Sequence, residues 1–197
     1  MFTTSFCAAG CGNPAVTGST LCAIHSADAE SDARRLGDYM IQQKAVKNIS
    51  AQGLHFMNMD FSKRHFYGCN FAGAGFSSCV FSGTIIRATF FDFCTFFSCD
   101  FSAGDFQFMS LAGATIQDCC FEGSELVNIN FGGTAITGSC FNKTNLYRSR
   151  FISASIVRSD FIDCNLTRTN FVDSRREEIS YKSSNTAEAI FEMEGYK

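Results

Sequence analysis

The chain has 197 residues, 46% of them hydrophobic, which is enough for one domain with a sizeable buried core and too apolar for a disordered chain. Sixteen basic against nineteen acidic residues leave a net charge of -3, so nothing general drives it toward nucleic acid or an anionic membrane. Twenty-three Phe with no Trp, and a single Pro, point to one environment copied many times rather than a varied core.

The start, Met1-Phe2-Thr3-Thr4-Ser5-Phe6, lacks the basic and apolar regions of a secretory signal. No apolar run approaches the ~18 residues of a transmembrane helix. A cytoplasmic location without membrane contact is therefore expected, and eleven Cys there read as reduced thiols plus a metal site, not as a disulfide framework. Cys7, Cys11, Cys22 and His25 follow one another with three, ten and two residues between them, around Gly12, Asn13, Pro14 and Gly18. Four soft ligands among tight turns suit a tetrahedral zinc closed by three thiolates and an imidazole. Cys11-Gly12-Asn13-Pro14-Ala15 and Leu21-Cys22-Ala23-Ile24-His25 resemble short bacterial zinc-binding motifs of the Cys-Gly-x-Pro-Ala and Leu-Cys-x-x-His type. Residues 1–25 are too few for a core of their own, so a structural zinc is the expected cofactor that orders them. With all four positions filled by protein, a catalytic zinc is not expected. The competing reading is a tail with three incidental thiols.

Residues 26–50 contain no Pro and only Gly37, and place Ala33, Leu36, Tyr39, Met40 and Val46 at broadly helical spacing. They read as a helix that caps the segment beginning at residue 51.

From Phe56 to Phe171 every fifth residue is Phe, Leu or Ile, 24 positions without a break, although these types make up only 43 of the 197 residues. The residue two before is small in 19 of 21 cases from Cys69 to Thr169, the exceptions being Met109 and Ile129, so it also points inward. The residue just before is often Asp or Asn, as at Asp60, Asn70, Asp100, Asn145 and Asn170, an outward turn-forming position. A period of five fits neither a helix nor a plain strand. Segments such as Thr144-Asn145-Leu146-Tyr147-Arg148 and Cys164-Asn165-Leu166-Thr167-Arg168 resemble the pentapeptide-repeat family, with consensus Ala-Asp/Asn-Leu-x-x. The resemblance implies an all-β solenoid over 51–173, a right-handed quadrilateral β-helix of about six coils. A second period of 20 agrees with it: the column 61, 81, 101, 121, 141, 161 is entirely Phe. Both ends of such a coil are open edges that need caps. Past Asp173 the pattern stops, and 174–197 reads as a tail with a short helix around Ala187 to Glu194, serving as a cap, a homodimer contact or a disordered segment.

No nucleophile motif, phosphate loop or dinucleotide fingerprint occurs, and the Gly residues follow the repeat as turn formers. Cys69, Cys79, Cys94, Cys99, Cys119 and Cys164 fall on the small inward position and read as core filler, whereas Cys120 and Cys140 fall one residue before Phe121 and Phe141 and read as accessible stacked thiols. His55 and His65 read as plain surface. Asp105 and Glu125 stack on one outer face, but a convex coil offers no cleft, so an enzyme is not expected.

Residues 51–130 carry three basic and seven acidic residues, a balance of -4, and 131–176 carry seven basic and three acidic, +4. Some members of the family protect DNA gyrase from quinolones and resemble duplex DNA in size and charge. A rod with a basic end departs from that, and nucleic-acid binding by the Arg148, Arg158, Arg168 end is not expected either. Off the core register lie Ile85, Phe90, Phe93, Phe97 and Phe108, with Ile152, Val157 and Ile162 as a second set. Aromatics clustered this way mark a partner surface, or else a place where a flanking helix folds back. The favoured reading is a non-enzymatic protein-binding scaffold or adaptor whose partner is another protein meeting Phe90, Phe93, Phe97 and Phe108. The alternative is a DNA mimic acting on DNA gyrase or another topoisomerase.

Overall fold

A large apolar residue at every fifth position forces the chain to turn after each short extended piece, and four such pieces bring it back beside itself. In the computed structural model, which describes residues 5–192, that return takes 20 residues at each step. Phe56 pairs with Phe76, Phe76 with Phe96, Phe96 with Ile116, Ile116 with Ile136 and Ile136 with Ile156, all in parallel register. The result is a β-solenoid of about seven turns with one helix, one turn more than the six expected.

The coil has four faces. The first stacks the strands Ala45–Lys47, His65–Tyr67, Ile85–Arg87, Asp105–Gln107 and Glu125–Val127, and the third stacks seven strands from His55–Met57 to Arg175–Glu177. Single parallel bridges hold the second face, through Ser50, Asn70, Phe90, Ser110, Asn130, Arg150, Asn170 and Ile190, and the fourth, through Asp60, Val80, Asp100, Cys120, Cys140, Asp160 and Ser180. At each corner the residue two after the inward one takes a left-handed backbone, from Asn58 (φ 54) to Asp173 (φ 56). Gly73, Gly113 and Gly133 hold such corners at no steric cost.

Inside, like rings lie on like. Phe61, Phe81, Phe101, Phe121, Phe141 and Phe161 follow one another at centroid separations of 5.1, 4.8, 4.8, 4.7 and 4.7 Å. The small inward residues are buried between them and satisfied: Thr84 Oγ1 donates to the carbonyl of Phe81 at 2.7 Å and Ser149 Oγ to that of Leu126 at 2.6 Å. Burial pushes the thiols of Cys69 up to about 11 and Cys94 to about 12, so they stay neutral filler.

Both ends differ from the expected 51–173 boundaries. The helix, α1, spans Ala29–Gln42, not 26–50; Asp28 caps it, accepting from the Ser31 amide at 2.9 Å. It lays Ala33, Leu36 and Met40 on the core, and Gly37 leaves room for the side chain of Met59. Beyond it Ala45–Lys47 is already a strand, because pairing with His65–Tyr67 satisfies its backbone where a longer helix would run off the coil. At the far end the coil runs past Asp173 through the strand Arg175–Glu177 to Ile190. Tyr181 stacks on Phe161 at 5.6 Å and Phe191 on Phe171 at 5.2 Å, while Arg176, at an inward register position, lies over the Phe191 ring at 4.6 Å. In place of a helix over Ala187 to Glu194 there is one 3-10 turn, Thr186–Glu188, and residues 193–194 lie outside those described. Among the described residues no helix is long and apolar enough to cross a membrane.

The extra turn also alters the charge distribution. Residues 131–192 carry eight basic and seven acidic residues, a balance of +1, so the basic end expected from 131–176 is nearly neutralised. Arg175, for one, pairs with Glu177 at 2.7 Å.

Candidate functional site

Residues 5–25 fold as two tight turns clasped by a few backbone bonds. Gly10 N donates to the carbonyl of Cys7 (3.0 Å) and His25 N to that of Cys22 (3.1 Å), so each turn returns a ligand type to the same point. Gly10 (φ 74) and Gly12 (φ 78) supply left-handed backbone beside Cys11. Ala8 N to Thr20 O at 2.8 Å and the Phe6 to Pro14 bridge lock the halves together.

This brings Cys7, Cys11, Cys22 and His25 into one cluster whose ligand atoms all lie within 4.8 Å of one another. Cys11 Sγ is 3.8 Å from Cys22 Sγ, and His25 Nδ1 is 3.5 Å from both Cys7 Sγ and Cys22 Sγ. The cluster could hold a metal ion. Its electrostatics favour anionic sulfur at Cys7 and Cys22; at Cys11 the Asn13 amide lowers the thiol, but burial and the two neighbouring sulfurs outweigh it and raise it. Although burial raises it, the Cys22 thiol is brought down to about 6 by the His25 amide, the His25 ring and the two neighbouring thiols. Cys7 is lowered, chiefly by a backbone amide bond at Cys22, and His25 is raised by its contacts with the Cys22 and Cys7 sulfurs.

The module is joined to the coil. Thr17 N donates to the Ser50 carbonyl and Ser50 N to Thr17 Oγ1, both at 2.8 Å, while Val16 is buried in the common core. Nothing in the Cys and His spacing signals this seam.

The off-register phenylalanines lie outside: Phe90 is 41% exposed, Phe93 72%, Phe97 48% and Phe108 66%. Phe108 occupies the corner leading onto the second face, next in the ladder to Ala88, Phe90 lies on that face, Phe93 on the following corner and Phe97 on the third face, all within two adjacent coils. Among the described residues, neither the flanking helix nor the tail folds over them. Phe93 (φ 58) and Phe108 (φ 54) hold left-handed corners, and the Phe93 ring leans over Gly113. The signal for that corner role is the register these two residues share with Gly68, Gly83 and Gly113. Ile85, of the same set, is half-buried; in the second set Ile152 is exposed and Val157 and Ile162 are half-buried. The stacked carboxylates make no catalytic pair: Asp105 is bound to Arg87, and Glu125 accepts from Asn145 at 2.6 Å.

The family model for pentapeptide repeats matches residues 129–168 and 144–175. Residues 129–175 are pentapeptide repeats. The same five-residue register continues in the structure from Val46 to Phe191, so the matched segment is part of one longer coil. No curated protein matches the chain. Among solved structures, the chain is similar to HetL, a pentapeptide repeat protein involved in heterocyst differentiation regulation from the cyanobacterium Nostoc, at 12% identity over 80% of this chain and 95% of that one, with a TM-score of 0.34. A pentapeptide repeat protein from the Arabidopsis thaliana thylakoid lumen gives 19% identity, 53% and 70% coverage and a TM-score of 0.40. The fluoroquinolone resistance protein QnrB1 gives 19%, 71% and 82%, and 0.30. None is close enough in shape to lend its role to this chain.

Proposed function

We propose that the chain is a non-enzymatic scaffold that binds another protein through Phe90, Phe93, Phe97 and Phe108, with a structural zinc ordering its N-terminal module. The observation that carries the binding surface is the conformation of Phe93 and Phe108. A left-handed backbone costs an L residue about 1–2 kcal/mol, and apart from Phe93 and Phe108 the corners from Asn48 to Ser183 hold Gly, Asn or other small or polar residues. Bulky rings held there and left exposed work against the fold, which supports a demand from outside it.

Zinc is supported by the cluster's own dimensions. A tetrahedron with Zn to S of ~2.3 Å and Zn to N of ~2.0 Å has edges of about 3.8 Å between sulfurs and 3.5 Å between sulfur and nitrogen. Of the six edges, the Cys11 to Cys22 sulfur pair stands at 3.8 Å, the His25 nitrogen stands 3.5 Å from the Cys7 and Cys22 sulfurs, and the rest lie within 4.8 Å. Protein supplies all four ligands, so the ion's role is to fix the turns. The DNA-mimic alternative finds less support, since the far half of the coil is close to neutral and offers no acidic strip.

Affinity capture with wild-type protein and with Phe93→Ser/Phe97→Ser tests the surface. A protein retained by the first and lost by the second, at unchanged thermal stability, supports it. Identical retention, or a large loss of stability in the variant, overturns it.

A further inference from the structure

On the fourth face the coil stacks one outward residue from each turn. In the middle of the rod that column reads Asp100, Cys120, Cys140 and Asp160, each bridged in parallel to the next. Glu122 lies two residues beyond Cys120, on the same side of the chain, and its carboxylate joins the two thiols in a group whose ligand atoms all lie within 4.8 Å of one another. Both thiols are half-buried, reached from solvent but steadied by the ladder beneath them. One Glu122 oxygen accepts from Lys143 Nζ at 2.8 Å, which fixes the carboxylate and leaves its second oxygen for another partner.

We propose that Cys120, Cys140 and Glu122 form a second cation site, open toward solvent, for a thiophilic divalent ion of the zinc and cadmium class. Two sulfurs and a carboxylate oxygen make a donor set that such ions prefer over hard cations. Three protein ligands leave one position open, unlike the closed N-terminal cluster. Asp100 and Asp160 at either end of the column add negative charge, which Lys143 opposes through its bond to Glu122.

The ladder itself disfavours the obvious competing fate, a Cys120 to Cys140 disulfide. In-register parallel strands hold equivalent Cβ atoms near the ~4.8 Å strand spacing. A disulfide holds them at about 3.5–4.5 Å, so closing it would draw two adjacent coils together by at least a few tenths of an ångström against their backbone bonds. An ion between the sulfurs requires no such movement. Neither bond of the seam is long enough to yield easily: Cys140 N donates to the Cys119 carbonyl at 2.9 Å and Phe121 N to that of Cys140 at 2.7 Å.

Cadmium alone is the probe, titrated under reducing conditions into full-length Cys7→Ser/Cys22→Ser protein so that the N-terminal cluster does not contribute. One equivalent should bind, with the ultraviolet thiolate-to-cadmium charge-transfer band, and the band should vanish on adding Cys120→Ser/Cys140→Ser. Loss of a ligand costs at least as much as loss of an outer-shell group, so Glu122→Gln should weaken binding roughly tenfold or more. In wild-type protein, cadmium should protect Cys120 and Cys140 from iodoacetamide, read by peptide mapping, whatever the folding of the variants. No cadmium bound in the first variant, a band that survives removal of both thiols, or alkylation at the same rate with and without cadmium would each overturn the site. Because the first variant lacks the N-terminal ligands, these outcomes are independent of whether that cluster holds zinc.

Discussion

Truncating Phe121 to Ala should cost about 3 to 5 kcal/mol, the range for a buried ring. The ring lies between Phe101 at 4.8 Å and Phe141 at 4.7 Å, stacked nearly parallel to both at 4° and 7°, and meets Phe131 edge-on at 6.5 Å. It is 1% exposed. Stacked pairs contribute about 0.5–1.5 kcal/mol each beyond area burial, and two are lost here. The void cannot close easily, since the rings above and below are tied to ladders that fix their spacing. Phe121→Leu, which keeps more of the volume but loses both stacks, should cost less than the Ala variant, about 1–3 kcal/mol. Denaturant unfolding followed by far-ultraviolet circular dichroism and by tyrosine fluorescence measures both variants, and the two probes must coincide because repeat arrays can lose all-or-none behaviour. A loss below about 1 kcal/mol for the Ala variant would mean that the central column does not carry the core.

Phe108→Asn should leave stability unchanged or raise it by up to about 1 kcal/mol, because Asn tolerates a left-handed corner better than Phe; a loss above that size by thermal melting would show the ring to be structural. Metal analysis of protein purified without chelator should give one tightly held zinc, reduced by Cys22→Ser; a stoichiometry well below one that the substitution does not change would return Cys7, Cys11, Cys22 and His25 to an ordinary tail. Acidification should release the ion, since protons compete for the thiolates. The Cys22 thiol is depressed from 9.0 to about 6, so the module keeps what that thiolate contributes above pH 9 and loses it as pH falls toward and through 6. Zinc retention that is flat from pH 8 to about 5 would contradict this. Chelation should disorder the N-terminal module while the coil's circular dichroism persists, because α1 still covers the first turn with Leu36 and Met40; cooperative loss of the whole β signal would refute that separation.

The core was legible because one residue class recurs every five positions, and a register that never slips from Phe56 to Phe171 leaves few folds to consider. The ends were not, because there the inward positions change type. Val46 and Ala51 carry the register backward without Phe, Leu or Ile, and forward of Phe171 it runs through Arg176, Tyr181 and Thr186 before Phe returns at Phe191. A terminal coil has a partner on one side only, so the residue at its inward register position need not be apolar or buried, and Arg176, though exposed, lays its guanidinium over the Phe191 ring. The cluster of Cys7, Cys11, Cys22 and His25 was readable from spacing alone, since two short turns suffice to bring such ligands together. Glu122 was not, because its relation to Cys120 and Cys140 exists only once the 20-residue turn has stacked them.

In a coil of this kind most residues are dictated by the neighbours 20 positions before and after, so a residue that disagrees with its column carries information that the column does not. Phe90 interrupts a polar second-face column of Ser50, Asn70, Ser110 and Asn130; Phe93 and Phe108 take corners that favour small or polar residues; Cys120 and Cys140 stand together between Asp100 and Asp160 in a fourth-face column that also holds Asp60, Val80 and Ser180. None of these substitutions improves the ladder, whose backbone bonds are the same with any side chain, and the aromatic ones oppose it. Local conflict with a fold that is otherwise self-consistent is where function is expected to reside. Both sets fall in the central turns, clear of the capping helix and of the Arg176 end, where the backbone is held on both sides. A rigid middle presenting adaptable groups is the arrangement a binding surface needs, because side chains on a fixed ladder lose little further freedom when a partner or an ion arrives.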